Sequence, residues 1–127
     1  MVKRIPILLF ISLGLSQKEY DLKDIVEQGD IHIKKFSDEI VNGNIYQNFG
    51  EHRILLGKMK NGVKEGQWTQ WRVNGTKKSM ETYKNGKLDG QRTVFFENGW
   101  KRSEETYEAG KEIVKREWEY YENGEKR

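Results

Sequence analysis

Two histidines and a few recurring carboxylates are the side chains whose type and spacing invite chemistry in this chain of 127 residues. His32 and His52 have no partner at metal-ligand spacing, and without cysteine a zinc site would have to be built from carboxylates. They read as surface or strand-filling histidines. Glu81 and Glu105 recur in register, with Glu104 and Glu108 beside them. Paired carboxylates can perform acid–base catalysis. Here a repeat accounts for them, with Lys77, Lys101, Glu81 and Glu105 expected as cross-strand charge partners on a solvated face. The absence of cysteine excludes disulfides, thiolate nucleophiles, Cys-ligated zinc and a lipid-modified N-terminal Cys. No G-x-S-x-G, Walker or dinucleotide fingerprint occurs. No catalytic residue, metal site or cofactor is expected, and the chain reads as a non-enzyme.

The elements that would position any site are repetitive. Glycine follows asparagine at Gly43, Gly62, Gly75, Gly86, Gly99 and Gly124, and Gly110 follows Ala109 in the same series. Gly86 lies 24 residues beyond Gly62, Gly99 lies 24 beyond Gly75, and Gly110 lies 24 beyond Gly86. A fixed period of this size marks a repeat architecture. Asn-Gly suits the two-residue type I′ turn, which needs positive φ at both central positions. Two turns per period leave one strand in each interval, so each repeat is a β-hairpin. No proline follows Pro6, so every later strand can donate its full ladder.

The copies align. Gln67 to Gly75 matches Gln91 to Gly99 and Arg116 to Gly124; Lys77 to Tyr83 matches Lys101 to Tyr107. Arg53 to Lys60 is a degenerate earlier copy, with Met59 where the later ones carry Tyr83 and Tyr107. Asp30 to Phe36 and Asn44 to Phe49 read as less regular strands. Period-2 alternation then predicts two aromatic columns across the sheet: Trp71, Phe95 and Tyr120, and Met59, Tyr83 and Tyr107. With 35% hydrophobic and 34% charged residues, a thick core would be hard to fill. The columns are expected to take its place. The predicted fold is all-β: a single-layer antiparallel meander of repeated β-hairpins.

Residues 1–16 have the order of a secretory signal. Lys3 and Arg4 precede an apolar run from Ile5 to Leu15, and Gly14 and Ser16 place small residues at −3 and −1 of a cut before Gln17. An uncleaved anchor is the alternative. The expected division is a signal at 1–16, a polar leader at 17–28, extended or partly helical, and a repeat domain at 29–127. The expected destination is the periplasm or the extracellular space, without a lipid anchor. The net charge of +3 falls to +1 once Lys3 and Arg4 are set aside, because 21 basic residues then face 20 acidic ones. Such a balanced surface does not point to nucleic acid.

The stretches Lys60-Asn61-Gly62-Val63-Lys64-Glu65-Gly66-Gln67-Trp68, Glu81-Thr82-Tyr83-Lys84-Asn85-Gly86-Lys87 and Tyr120-Tyr121-Glu122-Asn123-Gly124 resemble the MORN-repeat variant family. The resemblance covers about residues 43–127. The third copy lacks the second glycine of the pattern, and a bulge or looser turn is expected over Gly110 to Arg116. The resemblance implies a scaffolding or membrane-associated module, or a YwqK-like antitoxin. A protein partner is the leading expectation, with a toxin partner, an envelope lipid or a glycan as alternatives. The candidate contact surface is the aromatic set Trp68, Trp71, Tyr83, Phe95, Tyr107, Trp118 and Tyr120. The oligomeric state stays open, because edge strands that could pair also carry discouraging Lys and Glu.

Overall fold

The structure, a computed structural model, describes residues 17–121 and 123–127. The signal sequence read over 1–16 lies outside the described residues. The fold is all-β, as the repeat requires. Strands β1 (Lys18–Asp21), β4 (Gly43–Phe49), β5 (His52–Lys60), β6 (Val63–Trp71), β7 (Lys77–Lys84), β8 (Lys87–Phe95), β9 (Lys101–Glu108) and β10 (Lys111–Glu117) form one sheet in the order β1-β4-β5-β6-β7-β8-β9-β10. From β4 onward every neighbour is antiparallel. Strand β1 departs from the meander by pairing parallel with β4. A separate hairpin, β2 (Ile25–Gln28) with β3 (Ile31–Lys34), follows a 3₁₀ turn at Leu22–Asp24.

The two ends of the repeat use different turns. At one end Lys60 pairs with Val63, Lys84 with Lys87 and Glu108 with Lys111, which leaves two-residue loops. Asn61, Asn85 and Ala109 sit there at φ of 51°, 51° and 48°, with the following glycines at 81°, 81° and 87°. This is the type I′ geometry. At the other end glycine alone has positive φ, at Gly75, Gly99 and Gly124. Arg72 N–H donates to Thr76 O at 2.8 Å and Gly75 N–H to Arg72 O at 2.9 Å, and Phe96 and Gly99 repeat the pattern. These are three-residue loops, a type I turn closed by a left-handed glycine. Asn74, Asn98 and Asn123 serve them through the side chain, each Oδ1 accepting the backbone N–H two residues on, at 3.0–3.1 Å. Asparagine thus recurs at both ends for two different reasons. The expected irregularity in the third copy is a register shift between Glu112 and Val114.

Neighbouring hairpins are also stitched at the type I′ end. Gly86 N–H reaches Lys64 O at 2.9 Å and Gly110 N–H reaches Leu88 O at 2.7 Å. The carboxylates of Glu65 and Asp89 accept the Asn85 and Ala109 amides at 2.9 and 3.2 Å. The Glu or Asp that precedes Gly66 and Gly90 is therefore an acceptor for the next repeat's turn.

Residues 17–28, expected as a polar leader, extended or partly helical, are an integral part of the fold: they supply β1, the 3₁₀ turn and β2. Asp21 caps the turn by accepting Lys23 N–H at 3.1 Å. Tyr20 and Ile25 join Val41, Ile45, Leu56, Met59 and Trp68 in a small buried core. The columns therefore do not replace a core; one exists at the N-terminal end, partly roofed by the β2–β3 hairpin. Four-residue strands with scattered apolar positions are too short for their alternation to be legible. Nor do the aromatic columns touch. Equivalent residues of successive hairpins lie two strands, about 9.5 Å, apart, beyond the ring separations at which aromatic pairs gain energy. The strand between supplies other groups: Lys77 pairs with Trp71, Lys101 with Phe95, and Gly90 with Tyr107.

Candidate functional site

The intervening groups on the Tyr83–Tyr107 face form a buried polar row. Register places Glu81 opposite both Trp68 and Arg92, and Arg92 opposite Glu105. Arg92 donates from Nε to Glu81 at 3.2 Å and from a terminal nitrogen to Glu105 at 2.7 Å. Each carboxylate is also held by its own strand. Ser79 and Tyr83 donate to Glu81 at 3.3 and 2.7 Å; Ser103 and Tyr107 donate to Glu105 at 3.0 and 3.1 Å. The motif Ser-x-Glu-x-Tyr recurs at 79–83 and 103–107, and one arginine ties the two copies together.

Glu81 and Glu105 are only 4% and 5% exposed. The expectation of a solvated face with Lys77 and Lys101 as their partners is therefore wrong. Lys101 pairs with Glu104 instead, and the Lys77 ammonium lies 5.7 Å over the Trp71 ring. Burial alone would push the Glu105 carboxyl up, but hydrogen bonds from Arg92, Ser103 and Tyr107 and the Arg92 charge outweigh it, and the net shift is downward. Burial, and then the bond to Glu81, pushes the Tyr83 phenol above its usual range; burial and Glu105 do the same to Tyr107. These shifts favour a charged Glu105 carboxylate and neutral Tyr83 and Tyr107 phenols. They do not poise a proton for transfer near neutrality.

The second feature is a cleft of about 560 Å³ where the N-terminal hairpin meets the sheet. Leu22, Ile25 and Val26 form one wall; Leu56, Met59, Trp68 and Trp71 form the other, with Gln47, Lys64 and Gln70 among the polar lining groups. Trp68 is 4% exposed, its indole N–H donates to Lys58 O at 3.0 Å, and its ring lies on Gly57. Lys64 places its ammonium 4.7 Å over Trp68 and 4.8 Å over Tyr83. Leu22 and Val26 remain 38% and 42% exposed.

The predicted aromatic set thus falls into several neighbourhoods rather than one stripe. Trp68 and Trp71 line the cleft. Tyr83 and Tyr107 belong to the carboxylate row. Phe95 contributes its carbonyl to Arg72 at 2.7 Å. Trp118 lies beside Lys126 and Lys101, at 5.3 and 6.0 Å. Tyr120 packs with Trp100 and Phe96, with centroids at 4.8 and 6.1 Å. These three rings, with Glu97 and Asn98, make a shallow open platform at the three-residue turns.

His32 is engaged through Nδ1 with Gly62 O at 3.0 Å and lies 3.4 Å from Glu27 through Nε2. It fills the joint between β3 and the first type I′ turn, and His52 is exposed at the start of β5. Among the described residues no cluster of His, Asp or Glu could hold a metal ion. Sequence reasoning missed Arg92, although the 24-residue recurrence of Ser-x-Glu-x-Tyr was a signal for a shared partner on the strand between. It missed the cleft because the apolar residues of 22–26 were assigned to a leader. No protein-family model, curated protein or solved structure matches the chain.

Proposed function

We propose that this chain is a non-enzymatic β-repeat module, related to the MORN-variant proteins it resembles and exported to the envelope or extracellular space, that binds another protein. The observation that carries this reading is the cleft between the β2 wall and Trp68–Trp71. It is preformed, with apolar side chains on both walls and Glu27, His32, Gln47, Lys64, Thr69 and Gln70 among them, a combination suited to recognition. Both buried carboxylates are held by several donors each, so the reading needs no catalytic step. Affinity capture from envelope extract tests it, using the full chain beside a Trp71→Ala variant whose folding is checked by circular dichroism. A protein recovered by the unmodified chain and lost with the variant is the expected result. Equal recoveries would remove the cleft from the function.

A second reading has its own observation. The Phe96, Trp100 and Tyr120 platform with Glu97 and Asn98 offers ring faces and hydrogen-bonding groups of the kind that stack on a sugar. Co-sedimentation with insoluble cell-wall polysaccharide, lost with Trp100→Ala, would support glycan binding; protein left in the supernatant would refute it.

A further inference from the structure

We infer that the fork between β5 and β6 is a strand-addition site that takes an extended, uncharged segment of a partner polypeptide with apolar side chains at alternate positions. The inference rests on the protein-binding reading above and names its mode. The β6–β7 and β8–β9 ladders reach Trp71↔Lys77 and Phe95↔Lys101 at the three-residue-turn end. The β5–β6 ladder instead consists of Lys60↔Val63, Met59↔Lys64 and Lys58↔Glu65 and stops. Beyond that point β5 pairs with β4 and β6 with β7. The facing edges of His52–Gly57 and Gly66–Trp71 are left without ladder partners.

The fork is propped open by built features. A register shift between Ile45 and Tyr46 bends the β4–β5 pair, and Gly66 turns β6 at φ 74°. The Trp68 ring is wedged onto Gly57 at the base.

Composition separates this edge from the outer one. Edge strands are normally guarded by charge and bulges. Strand β10 has both, with Lys111, Glu112, Lys115, Arg116 and Glu117 and the shift at Glu112/Val114. Gly66-Gln67-Trp68-Thr69-Gln70-Trp71 has no charged residue in a chain that is 34% charged, and on the facing His52–Gly57 edge the one fixed charge, Arg53, is held by Glu19 at 2.9 Å. An incoming strand of about 20 Å, at about 3.3 Å per residue, would span the open stretch. Its backbone would meet the β6 edge, as in other strand-addition complexes. Alternate side chains would enter the cleft against Val26 and Trp71, and the others would meet Leu55, which is 49% exposed.

The test uses a random heptapeptide library displayed on phage and panned against the full chain, followed by synthetic copies of the enriched peptides. The expected peptides alternate apolar and polar residues. Methylating their alternate backbone nitrogens lowers affinity at least tenfold, as does Val26→Lys on the exposed cleft wall, while Ile113→Ala on the outer strand β10 leaves it unchanged. On binding, the alternate amides of Gly66–Trp71 that face β5 gain protection from hydrogen exchange. No enrichment, peptides indifferent to N-methylation, or binding lost with Ile113→Ala would overturn the inference. A native partner that tolerates Val26→Lys and Trp71→Ala but is lost with Tyr107→Ala would overturn the fork alone and leave the protein-binding reading standing. Peptide binding without any native partner would do the reverse.

Discussion

Replacing Arg92 by Met should destabilise the protein by about 3 kcal/mol at neutral pH and reverse part of its acid response. The side chains of Glu81 and Glu105 are 5% exposed and that of Arg92 is 32% exposed. Removing one partner of a buried ion pair costs about 3–5 kcal/mol, because the other charge is left stranded. Partial access of water to the Arg92 site places the cost at the lower end. With about 1.5 kcal/mol per molar urea as a slope for a chain of this size, the unfolding midpoint should fall by about 2 M.

The pH dependence supplies a sharper test. In the native protein the folded Glu105 carboxyl titrates below its ordinary 4.5. Its stabilising contribution is present above that value and is lost as the pH falls through the folded one. In the variant the same carboxyl is buried without its cation and titrates above the ordinary value. Its penalty is present at neutral pH and is relieved as the pH falls. Urea midpoints read by tryptophan fluorescence at pH 7 and pH 4 should therefore converge. The triple variant Glu81→Gln, Arg92→Met, Glu105→Gln should recover much of the loss, since it strands no charge. A cost under about 1 kcal/mol at pH 7 would refute the reading of the row as a buried polar core, as would parallel pH curves for variant and parent.

Two shorter predictions follow from the turns and the wedge. Ala109 occupies a φ of 48° that its homologous positions give to asparagine. Non-glycine residues other than Asn and Asp resist this conformation by about 1–2 kcal/mol, so Ala109→Asn should raise stability by about 0.5–1 kcal/mol; a loss measured by thermal unfolding would count against the turn assignment. A Cβ added at Gly57 would stand 2.5–2.6 Å from the Trp68 ring. Gly57→Ala should therefore cost about 1–3 kcal/mol, the usual range for overpacking, and shift Trp68 fluorescence; an unchanged spectrum would mean the ring does not sit there.

What was legible in the sequence is what the repeat encodes locally. The Asn-Gly spacing specifies a turn every 11 to 14 residues from Gly62 on, and the strands between follow from it. The irregularity where the third copy lacks its second glycine was readable for the same reason. The contents of the face were not, because that reading matched equivalent positions in successive hairpins, which lie two strands apart. What fills the space between them is decided by the strand in the middle. The pairing of Glu81 and Glu105 through Arg92 needs three registers at once. The N-terminal segment escaped because β1 pairs in parallel with a strand more than twenty positions away, and parallel pairing leaves no turn signal. The cleft is built from that segment and was hidden with it.

These features make stability unequal along the stack. In repeat architectures each unit is held mainly by its neighbours. The N-terminal end has the small core, the roof of β2–β3 and the Trp68 wedge. The middle has the Arg92 bridge. Strand β10 is exposed at every residue, with Ile113 and Val114 half in solvent and Ala109 straining the turn that leads to it. Opening should therefore begin at β10 and run toward β5. Native-state hydrogen exchange resolved by residue would show β10 amides exchanging fastest among the paired strands, with β9, β8 and β7 slower because the ion pairs that join them must break. Arg92→Met should accelerate exchange in β7, β8 and β9 together while leaving the β4–β5 pair near its parent rate. Uniform acceleration across all strands would mean that the sheet unfolds as one unit and that the bridge is not a boundary between independently opening parts.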